Sequence, residues 1–377
     1  YYLAVAEEAE IGLRGPEQLL WLARLRADRD NFRAALEWSL TRARAGMRID
    51  MPSFFKQSTI EERQEVSCTR LLAVELCLRL TAALRPYWEW QGYLTEGRDW
   101  LGAALAIPIE KGAGETVIAA RAKALSEASR LVCLQNDQSR SAELAEASIA
   151  LWRQLENPDG LAGALLHRGW AAHGAGEYEV AKRAYQEGLE SLTPAGNTWL
   201  RAELLFHLGA AEGFTFNFEE MRSCYTQSKE LFEQVGDTSA LADVLKDHGG
   251  MMLLEGNCIE AVDSLLKSIN LCYAMDHKQF IATGMGLLGF AVGLSEKPDP
   301  FSASLHSAQL SGAAEGLMNA IGLTPWTRTN PFVQMVRRQI RARVDDPSWE
   351  AAWAAGRALT AEQAIELANR FGRDALS

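Results

Sequence analysis

A glycine pattern that recurs every 40 residues constrains the fold of this chain more than any other feature. Gly169, Gly209, Gly249 and Gly289 follow this period, and the first three lie inside apolar stretches with helical spacing. A fixed period of this length indicates supersecondary units that stack on their neighbours and bury one continuous core. We therefore expect one elongated repeat body, although the 377 residues would suffice for two or more ordinary domains.

Alternating small and large residues indicate that each unit is a helical hairpin. Glycine inside a helix costs about 1 kcal/mol relative to alanine, so we expect a second helix to approach closely at Gly169 and Gly249. A small residue followed four positions later by a large one, Ala181 and Tyr185, belongs to the facing helix, and Gly176 marks the turn between the two. The sequence predicts an all-α fold, a right-handed superhelix of stacked helical hairpins.

The pattern resembles the tetratricopeptide repeat, in which glycine, aromatic, alanine and phenylalanine positions follow in the same order. That family has a period of about 34 residues, so the resemblance implies about six extra residues in each unit. We expect the superhelix to span 71–297 and to be followed over 298–377 by an irregular last hairpin, whose second helix resumes at Ser307, and by capping helices. Thr360 and Gln363 form a capping-box pattern that predicts the start of the final helix.

The segment before the superhelix has a different character. Residues 1–43 read as two helices, the second beginning at Pro16, because leucines recur there at helical intervals. Residues 44–70 have no helical period and contain Pro52, so we interpret them as an insertion or flexible loop.

Four segments resemble a known family. The motif RLRADRDNFRAALEWSL (24–40), the segment 78–105 with its GRDWL helix, and the closing segments 312–325 and 348–368 resemble the repeat arms of bacterial signal-transducing NTPases. This family includes LuxR-type regulators and is known as the STAND proteins. The resemblance implies that 1–43 follows an NTPase and winged-helix portion located before residue 1. ATP would bind in that portion, and the chain would be part of a longer protein.

The sequence offers little catalytic chemistry. No Gly-Lys pair occurs, so the phosphate-binding loop of nucleotide hydrolases is absent, as are GxSxG, HExxH and paired Cys/His ligand spacings. We therefore expect no enzyme activity, no metal and no cofactor in this segment; an enzyme with its site in the repeat groove is kept as a third hypothesis. His167 and His207 lie one period apart and are either ordinary packing or surface residues or a metal or switch pair.

Charge and hydropathy limit the partners. The formal net charge of −11 argues against direct contact with nucleic acid, which requires a basic face. The basic run 337–344 is interpreted as a solvated helix face, with a local basic patch as the alternative. No apolar run approaches the length of a membrane span, the first residues YYLAVAEEAE do not have the pattern of a signal peptide, and the six cysteines form no CxxC pair. We expect a cytoplasmic protein with no membrane contact.

Function must then come from the groove that stacked hairpins create, lined by the first helix of each unit. The predicted groove combines aromatic and charged side chains, which suits a partner that is partly apolar and partly charged. The residues predicted to contact a ligand or partner are Lys123, Arg130, Trp170, His173, Glu203, Phe206, Phe214, Asp243, Lys246 and Phe290. As an alternative, each aromatic ring merely fills the interface between neighbouring hairpins.

Two functions fit these observations. By resemblance, the chain is a sensor arm of a signal-transducing NTPase that controls transcription, and it binds a protein, a peptide or a small-molecule inducer and contacts its own NTPase domain. A ligand can switch such an arm only if it prefers one of two conformations. The alternative is a passive scaffold that holds a peptide of a partner protein.

Overall fold

The computed structural model describes residues 1–45, 60–109, 112–194, 196–321 and 331–377. Within these ranges every regular element is an α-helix, so the predicted all-α fold of stacked hairpins is confirmed. The chain divides into two compact units. Unit 1 comprises 1–215 with 234–236, and unit 2 comprises 216–233 with 237–377.

Unit 1 begins with short helices that pack around a longer one and continues as regular hairpins. Its helices are α1 (Tyr2–Gly12), α2 (Gln18–Ala27), α3 (Arg29–Ala45), α4 (Ile60–Ala83), α5 (Arg85–Gln91), α6 (Leu94–Leu105), α7 (Glu115–Leu134), α8 (Gln138–Gln154), α9 (Pro158–Gly174), α10 (Tyr178–Ser191) and α11 (Thr198–Phe214). From α7 onward each helix packs on the next one, and α9 also packs on α7 and α11. First helices of successive hairpins therefore lie side by side.

Unit 2 continues the hairpin pattern and ends in a group of shorter helices. Its helices are α12 (Phe218–Val235), α13 (Thr238–Glu255), α14 (Cys258–Ala274), α15 (Lys278–Ser295), α16 (Pro300–Ala320), α17 (Pro331–Arg341), α18 (Asp346–Arg357) and α19 (Ala361–Leu376). Helix α16 packs between α15 and α18, and α19 packs on α14.

The turns repeat with the sequence period. Asn136, Gly176, Phe216, Gly256 and Glu296 are 40 residues apart, and all have left-handed backbones with φ between 59° and 87°. Each ends the first helix of a hairpin. The connections between hairpins have left-handed residues midway between these, namely Glu156, Gly236 and Asp276. Two helices and two tight turns per unit account for the 40-residue period.

Two of the repeated glycines create the close approach that their position predicts. A Cβ atom added at Gly169 would overlap the Tyr185 ring, and one added at Gly249 would lie 2.6 Å from Cγ of Leu265. Each large residue comes from the second helix of the same hairpin and is buried. Glycine is therefore required at both positions because the facing helix fills the space of a side chain.

The N-terminal segment differs from expectation in two places. A break at Asp28 separates α2 from α3, so 1–43 contains three helices instead of two. Helix α4 begins at Ile60, ten residues before the predicted end of the insertion. Its first turns, IEERQEV, lack an apolar period but are rich in residues with high helix propensity. The remainder of the predicted loop that precedes α4, 46–59, lies outside the described residues.

The C-terminal segment also begins earlier than predicted. Helix α16 begins at Pro300 instead of Ser307, because proline is tolerated in the first turn and Asp299 accepts hydrogen bonds from the N–H groups of Phe301 and Ser302. The capping box at Thr360 is present at the start of α19. In the basic run, Arg341 pairs with Asp346 at 2.9 Å, one of several local contacts that engage these cations.

Candidate functional site

Unit 1 contains a cavity with a volume of about 390 Å³. Its walls come from α7, α9 and α11, which are the first helices of three successive hairpins, from Trp152 of α8, and from residues of α5 and of the segment 10–14. The volume falls within the range of about 300–1,000 Å³ that is typical of small-molecule and cofactor sites.

Helical periodicity explains which side chains reach the cavity. On α7, Lys123, Ser126 and Arg130 recur at intervals of three and four, so they share one face. On α9, Gly163, Leu166 and Trp170 do the same, and α11 contributes Glu203. The sequence places these residues on the first helices, and the stacking of the helices brings them together.

One wall of the cavity is a network of alternating buried charges. Glu89 of α5 accepts hydrogen bonds from Nη1 of Arg85 at 2.7 Å and from Nε of Arg130 at 3.3 Å. On its other side, the Arg85 guanidinium donates to Glu127 of α7. Although burial opposes ionisation, the charges of Arg130 and Arg85 lower the pKa of Glu89 to about 2. The network is therefore fully ionised at neutral pH.

The N-terminal helix extends this wall. Glu10 at the end of α1 accepts a hydrogen bond from Nζ of Lys123 at 2.6 Å and one from Nη2 of Arg14 at 3.3 Å. The Arg14 guanidinium also lies over the Trp199 ring, 4.2 Å from its centroid. Residues 10–14 thus link α7 to the start of α11 along one side of the cavity.

Aromatic rings adjoin this charged network. The Trp170 ring lies edge-on to His167, with centroids 6.4 Å apart, and to His207, with centroids 4.4 Å apart. The guanidinium of Arg130 covers the face of the same indole. Nε1 of Trp170 and Nη1 of Arg130 are buried without a hydrogen-bond acceptor. Each buried, unpaired donor costs about 1–3 kcal/mol.

His167 is neutral in this environment. Its Nδ1 lies 2.8 Å from the Ser126 hydroxyl, and its side chain is buried. Burial lowers the pKa of His167 to about 4, even though the nearby Glu127 carboxylate favours the protonated form. In the described part of the chain no cluster of three or more histidine, cysteine or acidic residues could hold a metal ion.

The structure brings four of the predicted groove residues together around the cavity: Lys123, Arg130, Trp170 and Glu203. His173 and Phe214 lie next to each other beyond the cavity lining, with ring centroids 5.4 Å apart. Phe206 is only 4% exposed and packs in the interior of unit 1. The expectation that Phe206 faces the groove therefore does not match its position.

The remaining predicted residues belong to unit 2. Lys246 of α13 donates a hydrogen bond to Asp243 and lies over the Phe280 ring, 4.3 Å from its centroid. Phe290 is 4% exposed and packs with Ile340 and other apolar side chains. Phe290 is therefore a core residue. Helix α17 covers the face of α15 that the repeat pattern predicted to line the groove.

Several residues that line the cavity were not predicted. Arg85 and Glu89 occur within LRLTAALRPYWEW, where charges interrupt an otherwise apolar stretch, a pattern that indicates buried and paired charges. Glu127 lies four residues after Lys123 and three before Arg130 on α7, and this spacing could have identified it. Glu10 and Arg14 carried no comparable signal, because the chain fold alone brings α1 to the cavity.

The structure defines a helical-repeat fold, TPR-like in its stacked hairpins, with a polar, tryptophan-rich cavity in unit 1. In unit 1 and unit 2 alike, the described helices include none that is long and apolar enough to cross a membrane. No protein-family model and no curated protein matches the chain. The likeness to the STAND family therefore remains an interpretation of sequence motifs.

Similar folds occur among solved structures. One is a Rap protein complexed with competence and sporulation factor, which shares 12% sequence identity over 90% of this chain and 98% of that chain, with a TM-score of 0.51. Another is BtubC (BKLC) from P. vanneervenii, with 14% identity, coverage of 64% and 92% and a TM-score of 0.46. At this identity the likeness to the Rap protein is one of fold.

Proposed function

We propose that this chain is a ligand-binding regulatory module and that the cavity of unit 1 binds a short peptide. The observation that carries the proposal is the cavity itself, whose tryptophans and paired charges come from three successive hairpins and from the N-terminal helices. A peptide offers both carbonyl oxygens and N–H groups. Both can form hydrogen bonds with the charged side chains of the lining, and apolar parts of a peptide suit its tryptophans.

A more specific proposal is that the module belongs to a bacterial signal-transducing NTPase that controls transcription. Its support is the motif resemblance over 24–40, 78–105 and 348–368. On this proposal the partner is the protein's own NTPase domain, which binds ATP, and the ligand stabilises one arrangement of the two. The ligand must prefer that arrangement, since equal affinity for both states would shift nothing.

A passive scaffold is the second candidate. The similar fold of the Rap protein in complex with competence and sporulation factor is compatible with both a regulatory module and a scaffold. The two candidates differ in the expected response to a ligand. A regulatory module should change its hydrogen exchange in helices that do not line the cavity, whereas a scaffold should change only α7, α9 and α11.

A glycine of the cavity lining permits a direct test. Gly163 lines the cavity, and a Cβ added there would meet no atom within 4 Å. Because a Cβ has space there, phenylalanine at this position should extend into the cavity, and the loss of a helical glycine favours the fold. Gly102 in α6 also has open space around it, is exposed and lies outside the cavity, so Gly102→Phe is the matched control.

The experiment selects binders from a phage-displayed library of random heptapeptides on the purified chain. We expect enriched peptides that bind the native protein and Gly102→Phe equally and bind Gly163→Phe at least tenfold more weakly. Absence of enrichment, or equal binding to Gly163→Phe, would show that this cavity does not bind peptides.

A further inference from the structure

The short segment 10–14, called the strap below, lies along one side of the cavity of unit 1. It comprises the last residues of α1 and the first residues of the turn to α2. Glu10 and Arg14 line the cavity. Nζ of Lys123 on α7 donates a hydrogen bond to Glu10 at 2.6 Å, and the Arg14 guanidinium lies 4.2 Å from the centroid of the Trp199 ring on α11. The strap therefore contacts two helices that are separated by α9.

Helix α9 lies between α7 and α11 and packs on both. Because the strap contacts the helices on either side, it lies across the cavity from α9. Gly163 belongs to the cavity-facing side of α9, and a Cβ added there would meet no atom within 4 Å. The space beside Gly163 is therefore open, and the strap closes one side of it.

The base of the strap is firmly attached to the N-terminal helices. Leu13 is buried in the core of unit 1, and its carbonyl oxygen accepts a hydrogen bond from Nε2 of the buried Gln18 at 3.0 Å. Earlier in α1, Glu7 accepts two hydrogen bonds from the Arg79 guanidinium of α4, at 2.8 Å and 2.9 Å. Core packing and this bidentate pair fix α1 on α4.

The contacts of the strap with α7 and α11 are of a weaker kind. They join the ends of long side chains, and the side chains of Lys123 and Arg14 are 35% and 24% exposed. Water screens ion pairs and cation–π contacts at such positions, so each contributes little. Glu10 would also keep its contact with Arg14 at 3.3 Å after Lys123 separates. These contacts can therefore break while α1 stays on α4.

We propose that the strap controls the exchange of ligand with the cavity. The closed arrangement blocks one side of the space beside α9, and separation of Arg14 from Trp199 and of Glu10 from Lys123 opens it. This inference rests on the proposed function, because it concerns access to the same site. A ligand that enters only while the strap is open has an association rate proportional to the open fraction. Weaker strap contacts then raise the association and dissociation rates together.

Labelling of a thiol placed in the cavity tests the strap without any ligand. Gly163→Cys introduces this thiol, and Gly102→Cys on the exposed face of α6 is the matched control. Fluorescein maleimide would label the full chain, and mass spectrometry of its peptides would separate the introduced thiol from the six native cysteines. We expect Arg14→Gln, and independently Trp199→Leu, to accelerate labelling at position 163 at least fivefold and to leave labelling at position 102 unchanged.

Two controls separate opening of the strap from other effects. Arg24→Gln removes a similar cation–π contact, with the Trp21 ring at 4.8 Å, outside the cavity, and should leave labelling at position 163 unchanged. Cys77 of α4 is buried, so its labelling reports unfolding of unit 1 and should stay as slow as in the native chain. Equal labelling at position 163 with and without the strap substitutions would overturn the proposal. Acceleration by the same factor at Cys77 in both strap variants would overturn it as well.

The binding kinetics of a selected heptapeptide provide the second test. Stopped-flow fluorescence anisotropy with a dye-labelled heptapeptide would measure both rate constants. The strap predicts that Arg14→Gln raises the association and the dissociation rate constants at least threefold each. An increase in the dissociation rate constant alone would make Arg14 a simple ligand contact and would overturn the proposal, while the peptide-binding function would stand. If no heptapeptide is selected, the proposed function fails, and the labelling experiment still decides whether the strap controls access to the cavity.

Discussion

The buried charge network should make a large and pH-dependent contribution to stability, which Glu89→Gln would measure. Glu89 accepts hydrogen bonds from Arg85 and Arg130, and its side chain is 23% exposed. Glutamine keeps the shape but removes the charge. Arg85 would retain Glu127, whereas Arg130 would lose the carboxylate that it contacts.

The pKa of Glu89 sets the size of this effect. Its decrease from an ordinary 4.5 to about 2 corresponds to about 3 kcal/mol of stabilisation of the folded state. Because the pKa is lowered on folding, this contribution is complete above pH 4.5 and is lost as the pH falls towards 2. At pH 3 about 2 kcal/mol of it is gone, so about 1 kcal/mol remains.

Urea unfolding followed by tryptophan fluorescence would test the prediction, since most of the tryptophans lie in unit 1. We expect Glu89→Gln to lower the free energy of unfolding by about 3 kcal/mol at pH 7 and by about 1 kcal/mol at pH 3. The control Glu143→Gln removes an exposed pair and should cost less than about 1 kcal/mol at either pH. If Glu89→Gln lowered the free energy of unfolding equally at both pH values, the assigned pKa would be refuted. If the decrease were as small as that of the control, the network would not be stabilising.

Two further predictions concern His167 and unit 2. Because burial lowers the pKa of His167 to about 4, its imidazole should stay neutral in an NMR titration down to about pH 5. The stability that His167 contributes as a neutral group should be lost as the pH falls from 6.5 towards 4. A titration midpoint near pH 6.5 would contradict this prediction. Gly312→Ala should destabilise unit 2 by about 1–3 kcal/mol in urea unfolding, because the added methyl group would overlap the Trp353 carbonyl oxygen, whereas Gly102→Ala should not destabilise the protein.

The repeat itself could be predicted from the sequence because each unit contains the same local signals. Gly169 and Tyr185 are in contact within one hairpin, and Gly176 ends the helix between them. Such contacts are close in the chain, so a fixed spacing reveals them. The helical period on α7 and α9 likewise identified Lys123 and Trp170 as cavity residues.

Long-range contacts could not be predicted in this way. Glu10 contacts Lys123 across more than a hundred residues, and no spacing in the sequence relates the two. Phe290 illustrates the opposite error, because the repeat pattern assigned it to an open groove while a helix from a later and non-repetitive segment buries it. Periodicity describes the contacts between neighbouring units and fails where a segment outside the repeat covers their surface.

Helix α9 shows why the cavity itself needed a structure. Its glycines look alike in the sequence, but a Cβ added at Gly160 or Gly169 would overlap the ring of Trp152 or Tyr185, whereas one added at Gly163 would meet open space. The first two glycines allow side chains to pack tightly against the helix, and the third leaves room for something that is not part of the chain. A helical glycine lowers helix stability by about 1 kcal/mol relative to alanine, and without a packing partner it allows no close contact that would offset this loss. Unlike the equally open Gly102 on the exposed face of α6, Gly163 lies among the cavity-lining residues, and this position supports the proposed function.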